Sequence, residues 1–254
     1  MFAPGGPALI IIVLPAYNEA EALPPLLDNM EKLHARLPDT RVLVIDDGSA
    51  DGTGDVITSR GADWLRLVPH PHNMGLSQAI QTGFQEALAG AAPQDIIVTM
   101  DADNTHDPAQ IEAMIAMLEN GHDVVIASRY RRGAEWYGIP PHRQLFSLGV
   151  RLIFRLMLPV RGVRDYSCGY RAYRAEVLQR AYARWGEAFI TEQGFACMPE
   201  ILFRLSRLSP PVRFGEVPMV LHYDLKPGQT KMPVRRTIIE TLRLGLRYRL
   251  GRDE

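Results

Sequence analysis

The chain has 254 residues, 46% of them hydrophobic, enough to bury a core as one large α/β domain or two small ones. Its 28 basic and 29 acidic residues leave a formal charge of −1, which excludes a global field of the kind that draws nucleic acid or an acidic partner. Only Cys168 and Cys197 are present, too few and too far apart for a disulfide framework or a zinc site, so a reducing, cytoplasmic setting is expected.

The opening stretch MFAPGGPALIIIVLP has no basic residue before its short apolar run and reads as a first strand, not a signal peptide. Strands are expected at ALIIIVLP (8–15), RVLVID (41–46), DWLRLVP (63–69), DIIVTMD (95–101) and DVVIAS (123–128), runs rich in Val, Ile and Leu of the kind buried on both faces of a sheet. Between them, residues 19–37, 74–90 and 107–121 space their apolar side chains at the helical period; the last two end in glycine, and Asp107 with Pro108 opens the third. This alternation predicts an α/β fold, a mostly parallel, doubly wound sheet with right-handed crossovers, with ligands outside the carboxyl ends of the strands. After residue 128 the rhythm changes to a loop rich in arginine and aromatic residues, then an apolar helix at about 143–158. A run DYSCGYRAYRAEVL (165–178), a helix near 192–208, an extended piece at 212–224 and a final helix from about 233 follow. The apolar segment at 145–160 contains Arg151 and Arg155 and is shorter than a membrane span of roughly 20 residues, so the chain is not expected to cross a bilayer.

The unusual residues collect at the expected strand ends. The first strand ends in Pro15, Tyr17, Asn18 and Glu19, the second in Asp46 and Asp47 followed by Gly48 and Ser49, the fourth in Asp101 and Asp103. The turn PAYNEAEA contains no glycine, which rules out a dinucleotide fingerprint of the GxGxxG type. Asp101 and Asp103 flank Ala102, so both carboxylates can leave the strand on one side as a hard-oxygen site for Mg²⁺ or Mn²⁺; a helix cap is the plainer reading, and Asp107 is one. In DDGSADGT, Asp51 or Thr53 caps a helix, but one cap does not need the pair Asp46 and Asp47, of which the first can accept hydrogen bonds from a nucleobase or ribose. His70, His72 and His106 lack a third partner at ligand spacing and are not read as a metal site.

The segments VLPAYNEAEALPPLL, VIDDGSADGT, HNMGLSQAIQTGF, MDADNTHDP and ASRYRRG, in this order and spacing, resemble the family 2 glycosyltransferases of the GT-A fold. The likeness runs over roughly residues 9–232 and is strongest to the dolichol- or polyprenyl-phosphate mannosyltransferase branch. It implies a single Rossmann-like sheet with a nucleotide-sugar-binding half at 1–128, an acceptor-binding half at 129–232 and an amphipathic helix at 233–254. It further implies inverting transfer of a sugar, mannose first, from a nucleotide sugar such as GDP-mannose to a polyprenyl phosphate, with Mg²⁺ or Mn²⁺ as cofactor. Pro15, Tyr17 and Glu19 would line the nucleoside pocket, Asp46 or Asp47 would meet base and ribose, and the backbone of Ala102 would pass the ribose. Asp101 and Asp103 would form the DxD pair, with Asp103 on the metal; Thr105 stands where relatives carry a Gln or Ser metal ligand and is a weaker one. Arg129, Arg143 and Ser147 match acceptor-phosphate positions, and Arg151 continues the face that Arg143 and Ser147 share on a helix. Lys231 would reach the donor diphosphate; the arginine expected before it is Leu225, with Lys226 beside it, which leaves the donor open.

A phosphate acceptor, with a second pKa of about 6, needs no general base at neutral pH. A glycan or small-molecule hydroxyl acceptor, the alternative reading, needs one, and Asp165 and Glu200 are the candidates, unless either holds the arginine-rich loop. A nucleotide-sugar-binding protein without turnover is a third reading, prompted by Thr105 and Leu225. The segment PVRRTIIETLRLGLRYRLGR mixes Ile238, Ile239, Leu242 and Leu246 with Arg235, Arg236, Arg243, Arg247 and Arg249. Such a helix suits an anionic membrane surface and suggests peripheral contact with the inner face of the membrane.

Overall fold

The computed structural model describes residues 8–138, 149, 151–157 and 159–225. Its strands are β1 (Ile10–Ala16), β2 (Thr40–Asp46), β3 (Leu65–Pro69), β4 (Ile96–Thr99), β5 (Val124–Ser128), β6 (Glu135–Tyr137), β7 (Arg171–Arg174), β8 (Phe214–Pro218) and β9 (Val220–His222). The helices are α1 (Leu23–Arg36), α2 (Thr53–Arg60), α3 (Leu76–Leu88), α4 (Gln110–Glu119), α5 (151–157), α6 (Ala175–Trp185) and α7 (Cys197–Leu205).

Seven strands make one sheet in the order β3-β2-β1-β4-β7-β5-β8, and β6 pairs with β9 apart from it. The strands β1 to β4 run parallel, as do β5 and β8, while β7 is antiparallel to both of its neighbours. The chain therefore winds outward from β1 to β3 and returns to β4 on the other side of β1. That reversal opens a crevice at the carboxyl ends of β1 and β4, the usual ligand position in such sheets. Because β7 lies between β4 and β5, residues before and after 128 share a single sheet. The helix expected at 233–254 lies outside the described residues.

Burial follows position in the sheet. Ile12, Val13 and Leu14 at the centre of β1 are fully buried, as are Leu23, Leu26, Leu27, Met30 and Leu33 along one stripe of α1. β3 departs from the expected two-sided burial: it is the edge strand, and none of its five residues is fully covered. Helix α1 begins at Leu23, not residue 19, because a turn in which Ala22 N and Leu23 N both donate to the Glu19 carbonyl precedes it. The run at 165–178 resolves into β7 followed by α6. At the start of β7, Arg171 is wholly buried and donates to the carbonyls of Met198 and Tyr166, 2.8 Å each, so a charged side chain ties the sheet to α7.

Gly83 of α3 lies against β1, where an added Cβ would stand 2.2 Å from Val13 Cγ1. Gly83→Ala is expected to destabilise the fold by about 1–3 kcal/mol in urea titration, although alanine is the better helix former by about 1 kcal/mol.

Candidate active site

The loops after β1, β2 and β3 interlock. Asn18, at φ 54°, donates from its backbone N to Ser49 Oγ (2.8 Å) and accepts Ala50 N on its side-chain Oδ1 (2.9 Å). Glu19 N donates to Thr53 Oγ1, and Asp51 accepts both Ala20 N and Thr53 N, so Asp51 has the capping role expected of it and also holds the first loop. Pro15 is thus held in β1, and Tyr17 and Glu19 stand on a loop tied to the one after β2, with Tyr17 39% exposed.

The two adjacent aspartates have different environments. Asp47 accepts Met74 N at Oδ1 and Gly75 N at Oδ2, both at 2.8 Å, and its Oδ1 lies 2.8 Å from His70 Nδ1. The other ring nitrogen of His70 is 3.0 Å from Thr82 Oγ1 on α3. With side chains only 5% and 7% exposed, Asp47 and His70 form a buried strut across the ends of β2 and β3. Gly48 (φ +71°) lets the backbone of residues 72 and 73 pass; a Cβ there would be 2.4 Å from the His72 carbonyl carbon. Asp46, also buried, accepts Ser49 N through Oδ1 at 3.0 Å, and its Oδ2 lies beside Gly54 of α2, where an added Cβ would be 3.4 Å away.

Beyond β4 the chain passes Asp101, half-buried, then Ala102 and Asp103, both buried. Gly169, just before β7, stands beside Asp101, where an added Cβ would be 3.4 Å from Oδ1. Asn104 adopts φ 59°, which turns the chain so that Thr105 donates to Asp103 Oδ1 from both its backbone N (3.2 Å) and its hydroxyl (2.6 Å). Thr105 thereby orients Asp103. The same loop is held from outside: His222 N donates to the Thr105 carbonyl, His106 stacks on Tyr170 at 5.0 Å, and Tyr170 Oη donates to the Asp107 carbonyl. Asp107 accepts Ala109 N at 2.9 Å ahead of α4, the capping turn expected of it.

On the other side of the crevice Arg129 follows β5. Its Nε and Nη2 donate to the two oxygens of Asp165 at 2.8 and 2.7 Å, its backbone N adds a third bond, and Nη2 also reaches Ser167 Oγ at 2.6 Å. Asp165 is fully buried and takes Cys168 N as well. Burial alone would raise its pKa, but the Arg129 charge and these bonds hold it below the usual carboxylate value, and Arg129 is pushed up in turn. Glu216 accepts Arg164 N and Asp165 N through one oxygen; burial, with the Asp165 charge, raises its pKa against the lowering effect of these hydrogen bonds. Glu200, also fully buried, accepts Thr191 N, Thr191 Oγ1, Glu192 N and Arg204 Nε. Arg151 places its guanidinium 4.7 Å from the Tyr130 ring, beside Arg129. Arg143, Ser147, Lys226 and Lys231 lie outside the described residues. The thiols of Cys168 and Cys197 are each pushed up to about 12 by burial and stay protonated at neutral pH.

The sheet therefore gathers Tyr17, Glu19, Asp46, Asp101, Ala102 and Asp103 at one end, with Arg129 beyond β7. Asp47 belongs to the frame. Among the described residues no group of three or more His, Cys, Asp and Glu is placed to hold a metal. What the crevice does supply is two carboxylates, a donor set that suits Mg²⁺ or Mn²⁺ when phosphate oxygens and water complete the shell. The strut through His70 was missed in sequence because it follows from strand register: Asp46 pairs with Pro69, so the next residues on each strand, Asp47 and His70, emerge side by side.

Comparison with known proteins gives a consistent picture. The model of the family described as glycosyl transferase family 2 matches residues 11–181. The chain is 32% identical over 245 residues to the undecaprenyl-phosphate mannosyltransferase of Micrococcus luteus, covering 94% of this chain and 95% of that one. It is 29% identical over 253 residues to the polyprenol monophosphomannose synthase of Mycolicibacterium smegmatis, covering 95% and 89%. The solved glucosyl-3-phosphoglycerate synthase of Mycobacterium tuberculosis, in complex with Mn²⁺, uridine diphosphate and phosphoglyceric acid, has the same fold, with a TM-score of 0.66 at 20% identity over 96% of this chain and 79% of that one.

Asp165→Asn leaves Arg129 facing a neutral amide and is expected to cost about 3 kcal/mol at pH 7 in urea titration. Since the folded carboxylate has a lowered pKa, its contribution is full above the ordinary carboxylate range and is lost as pH falls through the lowered value. The gap between wild type and variant should therefore hold from pH 7 to about pH 5 and close only below about pH 4.

Proposed function

Since the chain belongs to glycosyl transferase family 2 and is a glycosyltransferase, we propose which substrates it joins: a nucleotide sugar, GDP-mannose first, as donor and a polyprenyl phosphate as acceptor. One observation carries the choice of acceptor. Asp165 and Glu200, the two carboxylates expected to serve as a general base toward a hydroxyl, are both fully buried and filled with hydrogen bonds. A phosphate arrives largely ionised at neutral pH and needs no proton removed. The names of the relatives point the same way.

In this reading the nucleoside lies over Pro15, Tyr17 and Glu19, with Asp46 rather than Asp47 accepting from base or ribose, because three donors already occupy Asp47. Asp101 and Asp103 would hold Mg²⁺ or Mn²⁺, which supplies positive charge against the departing diphosphate. Thr105 keeps Asp103 in place through its two hydrogen bonds. Lys231 is assigned to the same diphosphate, and Arg143 and Ser147 to the acceptor phosphate. The Arg129 bonds to Asp165 and Ser167 use Nε and Nη2, so Nη1 is the nitrogen that can meet the acceptor. The Arg129–Asp165 pair is neutral overall and contributes direction; net positive charge for the phosphate comes from Arg143 and Arg151. The remaining work is alignment, holding the phosphate oxygen behind the anomeric carbon for displacement with inversion.

Incubation with GDP-mannose, Mg²⁺ and polyprenyl phosphate should give a sugar-labelled product in the organic phase. Asp103→Ala should lower the rate by about 100-fold or more and abolish the rise in Tm that Mg²⁺ with GDP gives the wild type. Product on free glycans, with none on the lipid phosphate, would overturn the acceptor; nucleotide binding with no transfer under either metal would overturn the reaction.

A further inference from the structure

We propose that a cavity on the outer side of the turn after β4 is a second small-molecule site, one that takes a sugar phosphate and steadies the turn that aims Asp103. The cavity measures about 330 Å³, at the lower end of the roughly 300–1,000 Å³ spanned by small-molecule sites. It lies between one face of α1 and the residues that follow Asp103, with His222 and Leu225 completing the lining.

The two walls differ in chemistry. Asn29, Lys32 and Arg36, spaced three and four apart on α1, share one face and bring two cations to it. Arg36 Nε is already met by Glu112 at 2.7 Å, whereas Lys32 Nζ donates to Asn29 Oδ1 at 3.1 Å and has no carboxylate partner among the described residues. A phosphate monoester, with close to two negative charges at neutral pH, answers that wall. The opposite wall is Asn104, His106 and Asp107, an amide, an imidazole and a carboxylate. Ala109 N occupies Asp107 Oδ1, so Oδ2 is the oxygen that can accept a hydroxyl. Bare phosphate would satisfy the cations and face Asp107 with no hydroxyl between them; a sugar phosphate satisfies both walls.

His106 is a second, independent sign of a ligand. The residue is 6% exposed, and its Nδ1 is closed to water without a hydrogen-bond partner. A nitrogen buried in that way costs least when it carries no hydrogen, so the proton sits on Nε2 and gives the ring a donor to offer the cavity. The cavity also touches the residues that hold the turn. Asn104, at φ 59°, stands between Asp103 and Thr105, and His222 N donates to the Thr105 carbonyl. A ligand that bridges α1 to Asn104 and His106 stiffens this turn, and a metal that needs the same ordering then binds more tightly. That coupling rests on the metal and nucleotide reading above; the cavity does not.

The test is calorimetric titration of the full chain with glucose 6-phosphate, with inorganic phosphate and glucose as controls. Glucose 6-phosphate should bind about tenfold tighter than either control. Lys32→Gln with Asn29→Leu should abolish this binding while keeping the Tm, the affinity for GDP with Mg²⁺ and the basal rate; Asp101→Ala should leave it in place. Saturating glucose 6-phosphate should raise the affinity of the wild type for GDP with Mg²⁺ about fivefold, and leave that of the Lys32 variant unchanged. Binding lost in Asp101→Ala and kept in the Lys32 variant would put the ligand in the catalytic crevice and overturn the proposal. So would inorganic phosphate binding as tightly as glucose 6-phosphate, no heat of binding at all, or binding that leaves the GDP affinity unchanged. If glucose 6-phosphate binds as expected and GDP binds with neither metal, the cavity stands as a site and the nucleotide reading falls, taking the coupling with it.

Discussion

The buried carboxylate of Asp165 sets the terms for the end of the sheet around β5, β7 and β8. A charge with no exposure to water is tolerated only if other groups replace the water, and here four donors do: three from Arg129 and one from Cys168. Meeting that demand pulls the loop after β5 against the segment before β7. Glu216 on β8 then accepts the backbone of residues 164 and 165, so the end of the sheet is bound to the same point. The direction of the Arg129 guanidinium, and through Tyr166 the seat of α5, follow from this requirement.

The ends of β2 and β3 are built by a parallel device. Asp47 and His70 leave adjacent strands in register and meet across their ends, and the backbone of residues 74 and 75 closes on the same carboxylate. The strut costs the crevice one aspartate and fixes the walls around the other. In the turn after β4, Thr105 donates to Asp103 from both its backbone N and its hydroxyl. In each case a residue that could touch substrate is held by one that does not, the arrangement that preorganised sites require.

Much of this was legible in the chain itself. The periodicity of residues 19–37, 74–90 and 107–121 announces α1, α3 and α4, and the five ordered motifs identify the family. Asp51 and Asp107 cap as their neighbours Thr53 and Pro108 suggest. Three features were hidden. The division of labour between Asp46 and Asp47 depends on donors from residues 70, 74 and 75, more than twenty positions away. β7 could not be recognised as a central strand because arginines stand at both of its ends, and the two terminal nitrogens of Arg171 are met by carbonyls of Met198 and Tyr166 that only the folded chain supplies. The role of Asp165 had two readings, and the choice between base and anchor turned on which cation stood next to it.

Local sequence thus determined which elements form, where the acidic residues sit relative to strand ends, and which family the chain joins, because propensity, periodicity and motif spacing act over a few residues at a time. Only the tertiary structure decided which carboxylates remain available for chemistry. Hydrogen bonds from distant segments fill Asp47 and Asp165, and burial makes those bonds obligatory; no short-range pattern encodes a partner that arrives from elsewhere in the fold.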